Sequence, residues 1–453
     1  MPKELFGTDG IRGIPGEYPL DNNTLYATGR SLGSYLQTRQ HETASSDAAP
    51  RVLIGMDTRE SGPPIAAQLA AGLCAEGVVV SSAGIISTPG VACLVRREGF
   101  SAGAVISASH NPYHDNGVKL FAGTGMKFPD RTEELLETEI LRWRNERVPE
   151  PAKPLRADRS LDEDYLAFLR DCANPGDLTG LKIVLDCANG AASSLGPALF
   201  ESLGATVVPI HNRPDGRNIN AGCGALYPES LQHRVTDEHA ALGVAFDGDA
   251  DRAIFVSASG RVVNGDGVLL IAARSLRSAG KLAGTRIVGT TMTNLGLERL
   301  FAAEDLTLVR VPVGDRYVLE EMLRSGCNLG GEQSGHVIFL DDATTGDGLL
   351  TALKIARMVA LHGPLDFLVN DLKVFPQTIV NVNVRSRPPL ESVAEISRAL
   401  DEATRALGDG GRVVLRYSGT EPKARVMVEA ERAEDVARWA EHLASAVRST
   451  IGA

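Results

Sequence analysis

The chain has 453 residues, enough for about three domains with a fourth allowed, and for a large buried core. Its 46 Lys and Arg against 57 Asp and Glu give a net charge of −11. That argues against a general nucleic-acid or anionic-membrane surface, though not against a phosphate held by a few local arginines. The six cysteines (Cys74, Cys93, Cys172, Cys187, Cys223, Cys327) show no CxxC spacing, the opening Met-Pro-Lys-Glu-Leu-Phe-Gly lacks the apolar stretch of a signal peptide, and no apolar run approaches transmembrane length. A soluble cytoplasmic protein with buried thiols is expected.

In chain order, the polar stretch from Gln37 to Pro50 reads as an exposed loop. Three segments then echo one another: Arg51-Val-Leu-Ile-Gly-Met-Asp57, Lys182-Ile-Val-Leu-Asp186 and Arg286-Ile-Val-Gly-Thr290. Helices are predicted to start near Gly62, Ala191 and Asn294, and further apolar runs follow at Val78–Val80, Thr206–Val208 and Leu308–Val311. This β-α-β rhythm predicts mixed or parallel sheets covered by helices, in three related α/β domains. The last part differs. Val374–Val384 alternates like a strand, Leu390–Leu407 is helical, Arg412–Tyr417 and Ala424–Ala430 read as a β pair, and Glu434–Val447 is a final helix with Val436, Ala440, Leu443 and Val447 on its apolar stripe. Linkers are expected at Arg147–Arg159, Ser257–Gly260 and Gly363–Asp371. The expected divisions are 1–157, 158–257, 258–369 and a C-terminal α+β domain, 370–453.

Four segments carry chemistry. After the apolar Ala104-Val105-Ile106 comes Ser107-Ala108-Ser109-His110-Asn111-Pro112, with Lys119 just beyond. Small hydroxyl residues at the carboxyl end of a buried strand lie where α/β sheets bind ligands. A serine there is placed for nucleophilic chemistry, with His110 and Lys119 as proton-transfer or charge-stabilising groups. The same residues would also serve as a hydroxyl-capped turn with His110 structural.

Next, Leu242–Phe246 runs into Asp247-Gly248-Asp249-Ala250-Asp251-Arg252. Three close carboxylates repel one another, and a hard divalent cation such as Mg2+ relieves that; a solvated acidic turn is the alternative. An EF-hand is excluded, because its glycine position holds Arg252 and its twelfth position Ala258. Gly330-Gly331-Glu332-Gln333-Ser334-Gly335-His336 offers a carboxylate, an amide, a hydroxyl and an imidazole suited to sugar hydroxyls, or is a polar surface loop. Leu415-Arg416-Tyr417-Ser418-Gly419-Thr420-Glu421-Pro422, followed by Arg425, has the make-up of an anion nest, or of an ordinary turn between strands.

These segments, in this order and spanning nearly the whole chain, resemble the α-D-phosphohexomutase superfamily. The opening Phe6-Gly7-Thr8-Asp9-Gly10-Ile11-Arg12-Gly13 and the Gly-Glu-Gln-Ser-Gly-His loop are similar to its bacterial phosphoglucosamine mutase branch. The resemblance implies four domains around a central active-site cleft, one motif from each. It implies an isomerase that interconverts glucosamine 6-phosphate and glucosamine 1-phosphate through a phosphoserine and a bisphosphate, in the amino-sugar route to cell-wall precursors. It matches Ser109 to the phosphoserine, Asp247, Asp249 and Asp251 to ligands of one Mg2+ completed by a phosphoserine oxygen, and Arg12, His110, Lys119 and Arg252 to basic or proton-handling positions. Glu332 and Ser334, with His336 beside them, match the sugar loop; Arg416, Ser418, Gly419, Thr420 and Arg425 match the dock of the non-reacting phosphate. Priming by a hexose bisphosphate or a kinase, a small amino-sugar phosphate as partner, and a monomer or homodimer are expected. One departure is Pro312 in Val311-Pro312-Val313-Gly314-Asp315-Arg316, where some members carry a lysine; it leaves the general base open and gives Lys119 or His110 more to do. Three readings compete: a phosphomannomutase or phosphoglucomutase of the same superfamily, a haloacid-dehalogenase-type phosphatase using Asp-x-Asp, and a non-catalytic sugar-phosphate sensor. The phosphatase reading leaves Ser109 unused and meets Asp251 where such sites usually carry Thr or Val.

Overall fold

The computed structural model describes residues 4–7, 9–43, 48–146, 154–173, 176–418 and 422–453. They form two compact units, Met1–Thr290 with Val311–Val369, and Thr291–Arg310 with Asn370–Ala453.

The first unit opens on a six-stranded mixed sheet, ordered Phe6–Gly7, Gly10–Gly13, Asn116–Ala122, Ala102–Ile106, Arg51–Met56, Val79–Ile85. Its centre is continuously apolar: Val52, Leu53, Ile54 and all of Ala102–Ile106 are buried, as expected of strands covered on both faces. Arg51–Met56 runs parallel to both Val79–Ile85 and Ala102–Ile106. Helix Gly62–Ala75 makes the first crossover and starts, as read, at Gly62, with prolines in its first turn where the N–H groups have no helical acceptor. Leu69 and Leu73 on that helix share a core with Leu25 and Leu32 of helix Asn22–Thr43 and with Val52 and Ile54.

A five-stranded sheet follows, ordered Val262–Val263, Ala253–Ser257, Leu242–Phe246, Lys182–Asp186, Thr206–Ile210. Its parallel pair Lys182–Asp186 and Thr206–Ile210 is joined by helix Ala192–Ser202, the second β-α-β unit. A third sheet contains Arg286–Thr290 parallel to Leu329–Gly331, which forms a hairpin with Val337–Phe339. In the second unit, Lys423–Ala430 lies between Gln377–Asn383 and Gly411–Tyr417, antiparallel to both, and helices Ala394–Leu407 and Ala433–Ile451 supply the covering core residues. Val436, Ala440, Leu443 and Val447 are buried, so the final stripe is core packing.

Two local expectations are corrected. Gln37–Thr43 belongs to helix Asn22–Thr43. Gln37, Arg39 and Gln40 are polar but good helix formers, and Gln37 Nε2 donates to the Glu76 carbonyl at 3.0 Å. Ser257–Gly260 is a tight hairpin turn between strands that pair Phe255 with Val263, closed by Ser257 N–H on the Arg261 carbonyl at 2.9 Å. Residues 44–47 of the expected loop, 147–153 of the expected linker, and Thr8 lie outside the described residues.

Candidate functional site

The sheets set the site by ending their central strands side by side. Ala102–Ile106 hands over to Ser107–Asn111, and its parallel neighbour Arg51–Met56 to Asp57-Thr58-Arg59. In the second sheet Leu242–Phe246 and Ala253–Ser257 form a hairpin, with Phe246 opposite Ala253, whose loop is Asp247–Arg252. The two loops meet. Ser109 Oγ donates to Asp247 Oδ2 at 2.6 Å, and a Cβ on Gly248 would lie 2.5 Å from the Ser109 carbonyl oxygen, so glycine there permits the approach.

The three aspartates offer oxygens all within 4.8 Å of one another and are buried. Thr88, in the first turn of helix Thr88–Arg97, donates its hydroxyl to Asp249 Oδ2 at 2.6 Å and its N–H to the Asp249 carbonyl at 2.9 Å. Asp249 Oδ1 and Asp251 Oδ1 are buried with no hydrogen-bond partner. Oxygen-only donors with two orphaned carboxylate oxygens fit a hard divalent cation, and the group is able to hold a metal.

The charges around it are fixed in place. Burial, then the neighbouring Asp251 and Asp249, push the Asp247 carboxyl well above its ordinary range. Lys119, on the strand next to Ala102–Ile106, is buried with Nζ 2.8 Å from Asp249 Oδ2 and 3.1 Å from Asp9 Oδ2. Burial opposes its charge, but Asp249, Asp9 and Asp251 outweigh that and hold the ammonium charged well above its usual range. Arg252 Nε lies 3.6 Å from Asp251 Oδ1. Arg12 pairs with Asp9 and reaches the Asn111 side chain at 3.3 Å. His110 Nδ1 is 3.4 Å from Ser109 Oγ, and its pKa is lowered to about 4 by burial, with Arg252 and Arg12 adding to the effect. His110 is therefore neutral near pH 7, and Lys119 is not.

The loop expected to meet the sugar is the turn of the Leu329–Gly331/Val337–Phe339 hairpin. Glu332 Oε1 accepts the Gly314 N–H at 3.0 Å, Gln333 Nε2 donates to Asp266 Oδ2 at 3.2 Å, and Ser334 Oγ is buried without a partner. The ring of His336, expected beside the sugar contacts, packs against the acidic loop. It is buried, with Nδ1 3.6 Å from Asp251 Oδ2 and Nε2 accepting the Gly346 N–H at 3.0 Å. Burial disfavours its protonation and Asp251 favours it, the net direction being upward, whereas the Gly346 N–H needs a lone pair on Nε2; that hydrogen bond fixes the neutral Nδ1–H ring. Both ring nitrogens thus face protein groups, and His336 braces the acidic loop.

In the second unit Arg416 and Arg425 stand directly opposite each other across their strand pair, and Arg425 Nη2 reaches Ser418 Oγ at 3.4 Å. Burial, then Arg425, lowers the pKa of Arg416. Gly419 and Thr420 lie outside the described residues.

Several site residues escaped the sequence reading. Asp9 joins Arg12, Lys119 and Lys127, and Lys127 Nζ also contacts Asp315 Oδ2 at 2.6 Å, so the cation at the Pro312 loop comes from Lys127. Thr88 and Arg59 were likewise missed. Arg59 had a signal: Asp-x-Arg follows an apolar strand, the same pattern that drew attention to Ser109.

Comparisons with known proteins agree along the whole chain. It matches the family descriptions "Phosphoglucomutase/phosphomannomutase" alpha/beta/alpha domain I over residues 3–147, domain II over 163–260, domain III over 264–375 and the C-terminal domain over 379–446. It is 51% identical over 453 residues to a phosphoglucosamine mutase of Solibacter usitatus (strain Ellin6076), covering 100% of both chains. It is 48% identical to a phosphoglucosamine mutase of Koribacter versatilis (strain Ellin345), covering 99% of this chain and 98% of that one. A phosphoglucomutase/phosphomannomutase family protein from Burkholderia thailandensis superposes with TM-score 0.78 at 25% identity, over 98% of this chain and 97% of that one. Among the described residues no helix is long and apolar enough to cross a membrane.

Proposed function

Because the chain belongs to the phosphoglucosamine mutase family, we infer that it interconverts glucosamine 6-phosphate and glucosamine 1-phosphate. The observation that carries this reading is Ser109 Oγ at 2.6 Å from the first carboxylate of a buried acidic triad. Ser109 is the phosphoryl carrier. The O1 hydroxyl of glucosamine 6-phosphate attacks the phosphorus on Ser109; the O1–P bond forms, the Oγ–P bond breaks, and the hydroxyl proton passes through neutral His110 to Oγ. The 1,6-bisphosphate then turns over. Ser109 Oγ attacks the 6-phosphoryl group, O6–P breaks, and the serine proton passes by the same ring to O6, leaving glucosamine 1-phosphate.

Asp247, Asp249 and Asp251, with an oxygen of the phosphorylated Ser109, would hold one Mg2+, which supplies compensation for charge on the transferring phosphoryl group. Lys119, Arg12 and Arg252 orient that group with fixed positive charge. Glu332, through its second oxygen, and Ser334, through its orphaned hydroxyl, meet the sugar. Arg416, Arg425 and Ser418, with Gly419 and Thr420, grip whichever phosphate is not reacting. The divisions 1–157, 158–257, 258–369 and 370–453 each bring one of these loops. Initial phosphorylation of Ser109 comes from a hexose bisphosphate or a kinase.

The test is a mutase assay with Mg2+ and glucose 1,6-bisphosphate, comparing glucosamine, glucose and mannose phosphates. Glucosamine phosphate is expected first, with the other two measurably slower, because the Glu332 carboxylate favours a nearby ammonium without excluding a hydroxyl of similar size. Mannose or glucose phosphate outrunning it would move the chain to the phosphomannomutase side of the superfamily with the chemistry unchanged.

A further inference from the structure

Ser109 sits at φ +51°, in the left-handed region that a side chain with a Cβ enters at a cost. Something must hold it there, and every backbone polar group of this residue is gripped. Its N–H donates to Ser107 Oγ at 2.9 Å, and Ser107 Oγ in turn donates to Asp57 Oδ2 at 2.6 Å. Its carbonyl accepts from two side chains, Arg59 Nη2 at 3.1 Å and Asn220 Nδ2 at 2.8 Å. The same two donors also share the Asn111 carbonyl, at 2.8 and 3.1 Å. Arg59 is fully buried, pairs with Asp57 at 2.9 Å, and spends its remaining N–H group on the Pro112 and Asp115 carbonyls. Asn220 is itself at φ +57° and is tied by its N–H to the Ala188 carbonyl at 2.9 Å, so it stands on the second sheet's loops rather than on the first.

We propose that Ser107, Arg59 and Asn220 are positioning residues for the phosphoryl carrier: together they lock the Ser109 peptide in its left-handed conformation, so that Oγ points at Asp247 and the acidic triad. Ser107 and Arg59 are buried, and all three spend these groups on protein atoms. They act through Ser109, which makes the first serine of the Ser-Ala-Ser motif a brace for the second. Asn220 matters most for alignment, because it makes the Ser109 carbonyl a shared anchor between the serine loop and the loops of the sheet that carries Asp247. With the clamp loosened, Ser109 relaxes toward negative φ, its Oγ swings off line, and transfer slows while the groups that bind sugar and phosphate stay in place.

The inference rests on Ser109 being the carrier, and the experiment separates the two. Enzyme primed with glucose 1,6-bisphosphate is mixed with glucosamine 6-phosphate, and single-turnover loss of the Ser109 phosphoryl group is followed beside steady-state KM. Asn220→Ala and Ser107→Ala, each shown folded by circular dichroism, are expected to lower the transfer rate about tenfold to a hundredfold with KM unchanged. Asn220→Asp should be slower still, since a carboxylate there faces two carbonyl oxygens. A purely structural role would lower the melting temperature and leave the transfer rate of the folded protein alone. Folded Asn220→Ala and Ser107→Ala that both transfer at the wild-type rate would overturn the clamp. A Ser109→Ala variant that keeps activity would overturn the carrier reading instead.

Discussion

In the proposed mechanism the serine–aspartate centre and the arginine pair of the C-terminal unit handle phosphate in opposite ways. At the centre, each cation already has a protein anion: Lys119 has Asp249 and Asp9, Arg252 has Asp251, Arg12 has Asp9. Lys119, Asp249 and Asp251 are buried, Arg12, Asp9 and Arg252 partly so, and the geometry around Ser109 is fixed by several hydrogen bonds at once. In the other region Arg416 and Arg425 stand opposite each other across a strand pair, close enough that the charge of Arg425 disfavours that of Arg416. A reacting centre needs atoms held in line and charges that do not wander. A grip that must take the 1-phosphate and the 6-phosphate in turn needs positive charge and tolerance of two poses.

The comparison breaks most sharply at the carrier itself. Ser109→Ala is expected to lower turnover by orders of magnitude, since no other group replaces a covalent carrier. Intact-mass and peptide analysis after priming should find one phosphate on Ser109 in the wild type and none in the variant. Full activity in the variant would remove the centre from the reaction.

Next in size is the acidic triad. Chelator should abolish activity and Mg2+ restore it, and Asp247→Ala, Asp249→Ala and Asp251→Ala should each lose activity or metal dependence with circular dichroism unchanged. Wild-type rates in all three without added metal would leave the triad as an acidic turn.

A smaller and differently shaped loss is expected at the grip. A charge-assisted hydrogen bond contributes about 1.5–3 kcal/mol, so Arg416→Ala should cost on the order of tenfold to a hundredfold in kcat/KM. The loss should appear in both reaction directions, with more bisphosphate released per turnover. A deficit in one direction alone would contradict a shared grip and erase the contrast with the centre.

The smallest effect concerns stability near the second sheet. His211 Nδ1 lies 3.0 Å from Asp186 Oδ2, and that close carboxylate, against partial burial, raises the His211 pKa. A raised histidine pKa stabilises the fold fully below the unfolded value of about 6.5, and the gain is lost as pH rises through the higher folded value. The melting temperature should therefore fall slightly from about pH 6 to pH 8, and His211→Asn, which tolerates the φ of +46° at this position, should flatten that slope. An unchanged slope would mean the pair carries no linkage.

Much of this was legible in the order of residues. Continuous apolar runs ending in Ser, Asp or Gly marked the central strands and the loops that follow them, because a strand covered on both faces must be apolar throughout and its polar residues collect at the ends. Helix starts at Gly62, Ala191 and Asn294 were visible for similar local reasons; Asn294, for example, caps helix Leu295–Ala303 by accepting the Gly296 N–H at 3.0 Å. Local polarity misled at Gln37–Thr43, where helix propensity prevailed.

Residue order is enough to show which loops carry hydroxyl, carboxylate and guanidinium groups, and that they follow buried strands. Which of those groups meet depends on how the sheets pack. Asp247 is far from Ser109 in the chain, yet their side chains are 2.6 Å apart; the His336 ring packs toward Asp251; Lys127 brings a cation to Asp315. Packing also decided protonation: Lys119 and His110 looked interchangeable as bases in the sequence, and carboxylate neighbours hold one charged while burial keeps the other neutral. Strand and loop follow from the near neighbours of a residue. Partnership and charge depend on what the fold packs against it, which no short stretch of sequence contains.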